Sequence, residues 1–397
     1  MGQTIKPFKA THYNLNLLDD FSKIACPPYD VIDKKMALNL KKRSPYNYCR
    51  ISLADGKNYN EPARNLQKWF KEKILVDDQK KNYYLYQQKF IIGKNKFLRY
   101  GILCLLNMTK KKIFPHEHTL DKPREDRKKM ITKLKANLSP VFVIAGNADK
   151  TLKVISKKYS KRKPFIEFKD VENNLNSLWK IGKKNDIEKI SSSLEGSYLI
   201  IADGHHRFET SFDYFNKNKN KFKNLSYILA YLTIPQPGLV ILPIHRITPA
   251  STKNKEYFNK IKNRCKLEQV SQKNLEKKLK TTKGFCFGVY RNKKFYFATL
   301  QNKHLLDTIS PAIYKKLNTY IFHNCVLPEI KCNQFVYNHS IDEVKKVTKK
   351  NQIAFIMKAV LLEAVFDIAK SGYKLPQKST FFYPKVFSGL VLRRFGV

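Results

Sequence analysis

Glycine is scarce in this chain, 14 residues in 397, about half the usual share of roughly 7%. The scarcity has a chemical counterpart. Neither GxxxxGK[ST] nor GxGxxG occurs, which argues against a P-loop or a dinucleotide-binding Rossmann site. HExxH and GxSxG are missing too, which sets aside the zinc-peptidase helix and the hydrolase nucleophile elbow. The seven cysteines are odd in number and contain no CxxC pair, so there is neither a disulfide framework nor a zinc-knuckle pattern. A reducing cytoplasm is the expected setting. Residues 1–7 lack the apolar core of a secretory leader. The longest apolar stretch, 353–369, is interrupted by Lys358, Glu363 and Asp367, and reads as an amphipathic helix instead of a membrane span. Acidic residues are also few: 32 Asp and Glu stand against 77 Lys and Arg, a formal net charge of +45.

Such a charge suggests a polyanionic partner. Its distribution argues otherwise. Lysine runs recur along the whole chain, at 110–112, 157–163, 217–223, 253–262, 273–283 and 345–350. Lys, Asn, Ile, Tyr and Phe share A/T-rich codons, so a biased genome gives this composition without selection for nucleic acid. We expect no specific nucleic acid and no membrane as partners. The oligomeric state is not written in the residues.

Apolar material is ample, 42% hydrophobic and 13% aromatic, so a sizeable core is expected and wholesale disorder is excluded. The length suggests two or three packed units or one large domain with insertions. Residues 60–75 have apolar positions at helical spacing after an early proline. Tyr83–Ile92 and 97–108 flank a Gly-Lys-Asn-Lys turn and read as a hairpin. Helices are expected over 123–135 and 206–216. Short apolar strands are expected at 140–145, 165–168, 198–202, 227–234 and 239–244, with a hairpin over 285–300. A strand at 353–357 precedes a helix to about 371. The mixture indicates an α/β (mixed α+β) class. The lysine/asparagine-rich stretches 216–224 and 251–263 read as surface connections.

The densest polar constellation is Ala202-Asp203-Gly204-His205-His206-Arg207, after the apolar run 198–201 and before a helical pattern. A strand ending at Asp203 and a helix starting after Gly204 would present backbone N–H groups to an anion. Two imidazoles and a guanidinium add donors suited to phosphoryl oxygens, and Asp203 is a candidate magnesium ligand. The plainer alternative is a capped helix start with surface His and Arg. The second constellation is His116-Glu117-His118-Thr119, followed by Arg124 and Arg127. A carboxylate between imidazoles suits a general base or a metal ligand. Arginine is rare beside so much lysine, and one reading of the two arginines is that they mark places needing a planar fork; a charged helix face is the alternative. A third stretch, 376–385, carries Lys378, Ser379, Thr380, Tyr383 and Lys385 between prolines and could clamp an anion. The fourth, Pro27-Pro28-Tyr29-Asp30-Val31-Ile32, reads by itself as a rigid structural turn.

Taken together along the chain, these segments and Asn-x-Ser-Pro at 137–140 resemble domain-of-unknown-function family 1015. The resemblance runs over nearly the whole chain. Members of that family include pyrophosphate-dependent L-serine kinases, and the middle of the chain also resembles the ParB/sulfiredoxin-like fold of free serine kinases. The resemblance implies such a core over 113–250 with an insertion between Ile144 and Tyr198, an N-terminal α/β region 1–112, and a C-terminal α/β region 251–397 that contributes to the site. It implies L-serine and pyrophosphate as substrates and Mg2+ as cofactor. Glu117 matches the base toward the serine hydroxyl. Asp203, His205, His206 and Arg207, with Gly204, match the phosphate- and magnesium-binding turn. His116, Arg124, Arg127, Lys378, Ser379, Thr380, Tyr383 and Lys385 are placed near substrate without assigned atoms.

Two other readings have distinct signatures. A ParB-like nucleic-acid-binding protein should carry a helix-turn-helix after the core, and none is evident after residue 235. An ATP- or ADP-dependent serine kinase would keep the same residues and change only the donor. Sulfiredoxin-like repair needs a cysteine in the turn, where this chain has His205.

Overall fold

The computed structural model describes residues 3–395, apart from 19, 57, 118–120, 223, 252 and 333. The chain forms two compact units. The first combines residues 1–115, 119–239 and 384–397; the second combines 116–118 and 240–383. Both mix helices and strands, the α/β class expected. All seven cysteines are free and buried. Among the described residues, no helix is long and apolar enough to cross a membrane.

The first unit is built on a nine-stranded sheet. Its order runs Ile113–Pro115, Leu199–Asp203, Val141–Ala145, Tyr227–Thr233, Asn95–Asn107, Tyr83–Ile92, Leu175–Ile181, Ile166–Lys169, with Ile5–Lys6 also on Asn95–Asn107. The expected hairpin is present, in the register Tyr86↔Gly101 and Gln88↔Arg99. Side chains alternate across a strand. One face therefore carries Leu85, Ile102, Cys104, Val141, Val143, Leu199, Ile201, Ala230 and Leu232. It is covered by Leu152 and Ile155 of helix Thr151–Tyr159, Ile190 of Lys184–Ser193, and Phe208, Phe212 and Phe215 of His205–Lys217. The residues between them, Tyr86, Gln88, Arg99, Phe142 and Tyr231, are also buried, so the opposite face holds a polar and aromatic layer. The segment between Ile144 and Tyr198 contributes two strands to this sheet, and Leu175–Ile181 pairs along its whole length with Tyr83–Ile92.

The second unit has a six-stranded antiparallel sheet ordered Cys265–Val270, Lys294–Leu300, Phe287–Arg291, Ala354–Ile356, His245–Ile247, Val336–Asn338. Leu275 and Leu279 of helix Gln272–Thr281 pack with Ile247, Phe295, Phe297 and Ile356. The other face is aromatic: the Phe322 ring meets Phe287 edge-on at 5.2 Å and lies tilted at 4.8 Å from Phe355. Val240–Leu242 and Phe381–Tyr383 form a separate ribbon. One expectation needs correction. The stretch 251–263, read as a surface connection, is largely the helix Asn254–Arg264, which buries Phe258 and Ile261. Its lysines mask the spacing of those two apolar positions.

Candidate active site

Strand Leu199–Asp203 runs parallel to Ile113–Pro115, and its register on Val141–Ala145 slips between Ile201 and Asp203. Gly204 then turns the chain with φ +85°, and helix His205–Lys217 begins. That backbone favours glycine, and the missing side chain has a second use. A Cβ there would stand 2.8 Å from Arg207 Nε, so glycine lets Arg207 fold back over the turn. Its guanidinium donates to Pro140 O and, at 3.2 Å, to Asp203 Oδ2. On the other side, Lys385 Nζ is 3.2 Å from Asp203 Oδ1. Burial acts to raise the Asp203 carboxyl, but Lys385 and Arg207 outweigh it and hold it well below the ordinary carboxylate range. His205 is buried and His206 half-buried at the same helix start.

The Pro-Pro-Tyr-Asp turn, read alone as structural, brings a site residue. Tyr29 lies under Arg127, with the guanidinium carbon 3.8 Å from the ring centroid. Burial pushes the Tyr29 phenol up to about 12, against the pull of Arg127 and Arg207. Arg127 also bonds Asp126 and, at 3.1 Å, Ser52 O. Tyr29, Arg127, Asn137, Ser139, Arg207 and Thr210 share with the apolar Met130, Ile131, Leu138 and Ile228 the lining of a cavity of about 50 Å3, room for more than one water molecule. Two polar atoms of these residues, Arg207 Nε and Thr210 Oγ1, are buried and have no hydrogen-bond partner among the described residues. Buried polar atoms are nearly always satisfied, so this pair stands out among the described residues. Arg124, by contrast, is engaged by Glu209 at 3.4 Å and Asp213 at 3.1 Å on helix His205–Lys217.

Lys385 is held in place by residues that sequence reasoning missed. Arg99, fully buried, donates to Gln88 Oε1 and to Pro384 O. Gln88 Nε2 donates to Lys385 O at 3.1 Å and to Asn176 Oδ1 at 3.0 Å. Asn176, Gln88 and Arg99 are direct cross-strand neighbours. The clue in the sequence is the pair of adjacent glutamines at 87–88 in a strand that otherwise reads as apolar.

Of the residues singled out from sequence, Arg124, Arg127, Asp203, Gly204, His205, His206, Arg207 and Lys385 belong to the first unit. His116, Glu117, Lys378, Ser379, Thr380 and Tyr383 belong to the second. His118 and Thr119 lie outside the described residues. Within the second unit, the His116–Glu117 backbone runs beside Leu375, which donates to His116 O at 2.7 Å. His116 Nε2 is 3.0 Å from Thr380 Oγ1, and the Lys378 N–H donates to Glu117 Oε1. Ser379 donates to Pro376 O at 2.5 Å. Tyr383 sits in the ribbon opposite Val240, and the Lys378 side chain is exposed.

The family described as a protein of unknown function, DUF1015, matches residues 5–320. The chain belongs to this family. The match takes in Tyr29, Glu117, Arg127 and the whole 203–207 turn of this DUF1015 protein, and stops short of Lys378 and Lys385. No curated relative matches its sequence. Solved structures similar to it include a free serine kinase in complex with AMP, at TM-score 0.36 and 14% identity over 70% of this chain and 86% of that one. Another is SbnI with a C-terminal truncation from Staphylococcus aureus, at 0.40 and 10%, covering 73% and 86%. A conserved hypothetical protein from Pyrococcus furiosus scores 0.37 at 14%, covering 72% and 92%.

Magnesium asks for oxygen ligands, often one or two carboxylates completed by substrate phosphates and water. Among the described residues of this DUF1015 protein, no three His, Cys, Asp or Glu side chains cluster as a metal site. Asp203 is the carboxylate of the turn, and it already lies between two cations. A single carboxylate leaves the other positions around such an ion to water or to a ligand's own oxygens. The donor set does not fit an ion caged by the protein alone.

Proposed function

We propose that this protein is a small-molecule kinase that transfers a phosphoryl group from pyrophosphate to the hydroxyl of L-serine, giving O-phospho-L-serine and phosphate. The observation that carries the reading is the Asp203–Arg207 turn. An ionised carboxylate stands between Lys385 and Arg207 at a helix start, beside a small cavity lined in part by Arg207 and Thr210. Such an end offers N–H groups and positive charge to phosphoryl oxygens. Pyrophosphate has no base or ribose to accommodate, which agrees with the lack of a nucleotide motif in the sequence.

In this reading His205, His206, Arg207, Gly204 and Lys385 hold the donor, and Arg127 shapes its far side over Tyr29. Asp203 would hold a magnesium ion, which when bound would supply charge neutralisation at the phosphoryl group. Glu117 accepts the serine hydroxyl proton, a role that rests on the family resemblance. His116, Lys378, Ser379, Thr380 and Tyr383 shape its surroundings, and Arg124 braces the helices. The serine oxygen forms its bond to one phosphorus, the bridging P–O bond breaks, and the second phosphate leaves. Transfer of this kind needs positioning and charge neutralisation more than covalent help.

The test is phosphoserine formation from L-serine and magnesium with pyrophosphate, ATP and ADP supplied separately. Turnover with pyrophosphate is expected. Glu117→Gln and Asp203→Asn should each lose on the order of 10²-fold or more, the usual worth of a proton-transfer group, with unchanged circular dichroism. Full activity in both variants, or no phosphoserine with any donor, overturns the reading. Turnover with ATP or ADP alone overturns the choice of donor.

A further inference from the structure

Arg246 is the residue of the second unit that neither the sequence motifs nor the proposed roles account for. It sits on strand His245–Ile247, on the aromatic face of the sheet, with no exposed surface. The guanidinium carbon is 5.8 Å from the Tyr337 ring. A guanidinium in such a place is costly unless a counter-charge and acceptors are supplied. Its acceptors are two backbone carbonyls, Ile244 O at 2.8 Å and Lys378 O at 3.3 Å. Its Nε has no partner among the described residues. The neighbouring imidazoles offer no negative charge, and burial and Arg246 itself push His323 down to about 4, so that it stays neutral. The carboxylate whose charge acts on Arg246 is Glu117.

The contacts form a short chain. Arg246 holds the carbonyl of Lys378, and the N–H of the same residue donates to Glu117 Oε1. Lys378 has φ +55°, a left-handed backbone that side-chain-bearing residues adopt at a cost. A turn in that conformation keeps its shape when it is held from both sides. Here an anion takes its amide and a cation takes its carbonyl. Ser379 to Pro376 O, and Leu375 to His116 O, close the rest of the loop around the His-Glu segment.

We infer that Arg246 is a positioning residue for Glu117: by clamping the Lys378 turn it fixes the direction in which the carboxylate points. Being fully buried, it acts through the turn and not on substrate. The inference rests on the proposed kinase reading for its kinetic consequence, but the clamp can be read without turnover.

Two measurements on the full chain test it. In Arg246→Met, kcat for phosphoserine formation falls about tenfold to a hundredfold, the effect of a small misplacement of a reacting group, while KM for serine and for pyrophosphate changes less than threefold. Amide exchange at Lys378 speeds up at least tenfold in both Arg246→Met and Glu117→Gln, with core amides of strand Ala354–Ile356 unaffected. Arg246→Lys keeps the charge and one donor, gives intermediate values in both readouts, and carries the test if the methionine variant does not fold. An unchanged kcat, or a rise in KM with kcat preserved, overturns the positioning role. Unchanged exchange at Lys378 overturns the clamp. If the wild-type protein makes no phosphoserine, the kinase reading has failed and the exchange data alone decide the clamp.

Discussion

Lys385 and Asp203 lie 182 positions apart in the chain and meet at 3.2 Å. The lysine outweighs the burial that would otherwise favour a protonated carboxyl, and it does so from a backbone pinned by Gln88 and Arg99. Lys385→Met should therefore cost about 1.5–3 kcal/mol of donor binding or turnover, the usual worth of a charged hydrogen bond. Phosphoserine formation would slow on the order of 10- to 100-fold. Asp203 has a depressed folded pKa, so its share of stability is present above the unfolded value near 3.9 and is lost as pH falls through the folded one. In the variant the folded pKa rises toward the unfolded one, so this share of stability is smaller at neutral pH and is exhausted at a higher pH. Acid titration followed by circular dichroism checks the second part, and an unmoved acid midpoint contradicts it.

Gly204→Ala forces a side chain into φ +85° and against Arg207 Nε. The backbone term alone is about 1–2 kcal/mol, and the displaced guanidinium should raise KM for the donor as well. Denaturant midpoints and donor KM, measured together, separate the two effects. A variant with both at wild-type values would show that the turn is more tolerant than its geometry implies.

Tyr29→Phe keeps the ring under Arg127, and Tyr29→Ala removes it. The phenol, pushed up to about 12, stays protonated at working pH and contributes no charge. The phenylalanine variant should match wild type within about twofold. The alanine variant should lose about 0.5–2 kcal/mol, the range of a cation–π contact. Donor titrations of the two variants suffice, and equal losses in both would move the role from the ring to the hydroxyl.

The second unit should weaken in mild acid. Burial, reinforced by His339 and Arg246, pushes His245 down to about 3, and its Nδ1 accepts the Met357 N–H at 3.1 Å, which a protonated nitrogen cannot do. His323 lies at about 4. Both groups titrate near 6.5 when unfolded, so the unfolded chain binds more protons below that pH. Stability is full above about 6.5 and falls as pH drops toward 4 and 3, by up to about 1.4 kcal/mol per pH unit for each group. His323→Phe should narrow the stability difference between pH 7.5 and pH 5 by about 2 kcal/mol. Urea unfolding of the wild-type and variant chains at the two pH values reads this directly, and a parallel decline in both would remove His323 from the account.

Local chemistry was legible in the sequence where one segment carries it. The Tyr83–Ile92 hairpin follows from apolar runs on both sides of a glycine turn. The strand, glycine and helix at 199–217 follow from an apolar run, a polar cluster and helical spacing. Legibility ended where the partner is far away in the chain. Nothing near Arg99 or Gln88 announces Pro384 and Lys385, and nothing near Arg246 announces Lys378. Tyr29 looked structural because a proline-bounded turn reads the same whether its tyrosine packs on a core or under an arginine. The helix Asn254–Arg264 was hidden because lysine, asparagine and glutamate fill its outer positions and leave few apolar positions to count.

Residues 384–395 come last of those the first unit uses. They pair through Ser388 with Cys26, through Leu392 with Thr11, and through Arg393 with Asn137. During synthesis the ribosome must add residues 240–383 between the bulk of that unit and its closing segment. At ~5–20 residues per second this leaves an interval of roughly ten to thirty seconds. Until residues 384 and 385 follow, Arg99 lacks its Pro384 acceptor and Asp203 lacks its lysine. The polar layer of the first unit can therefore be completed only after the whole of 240–383 has been made.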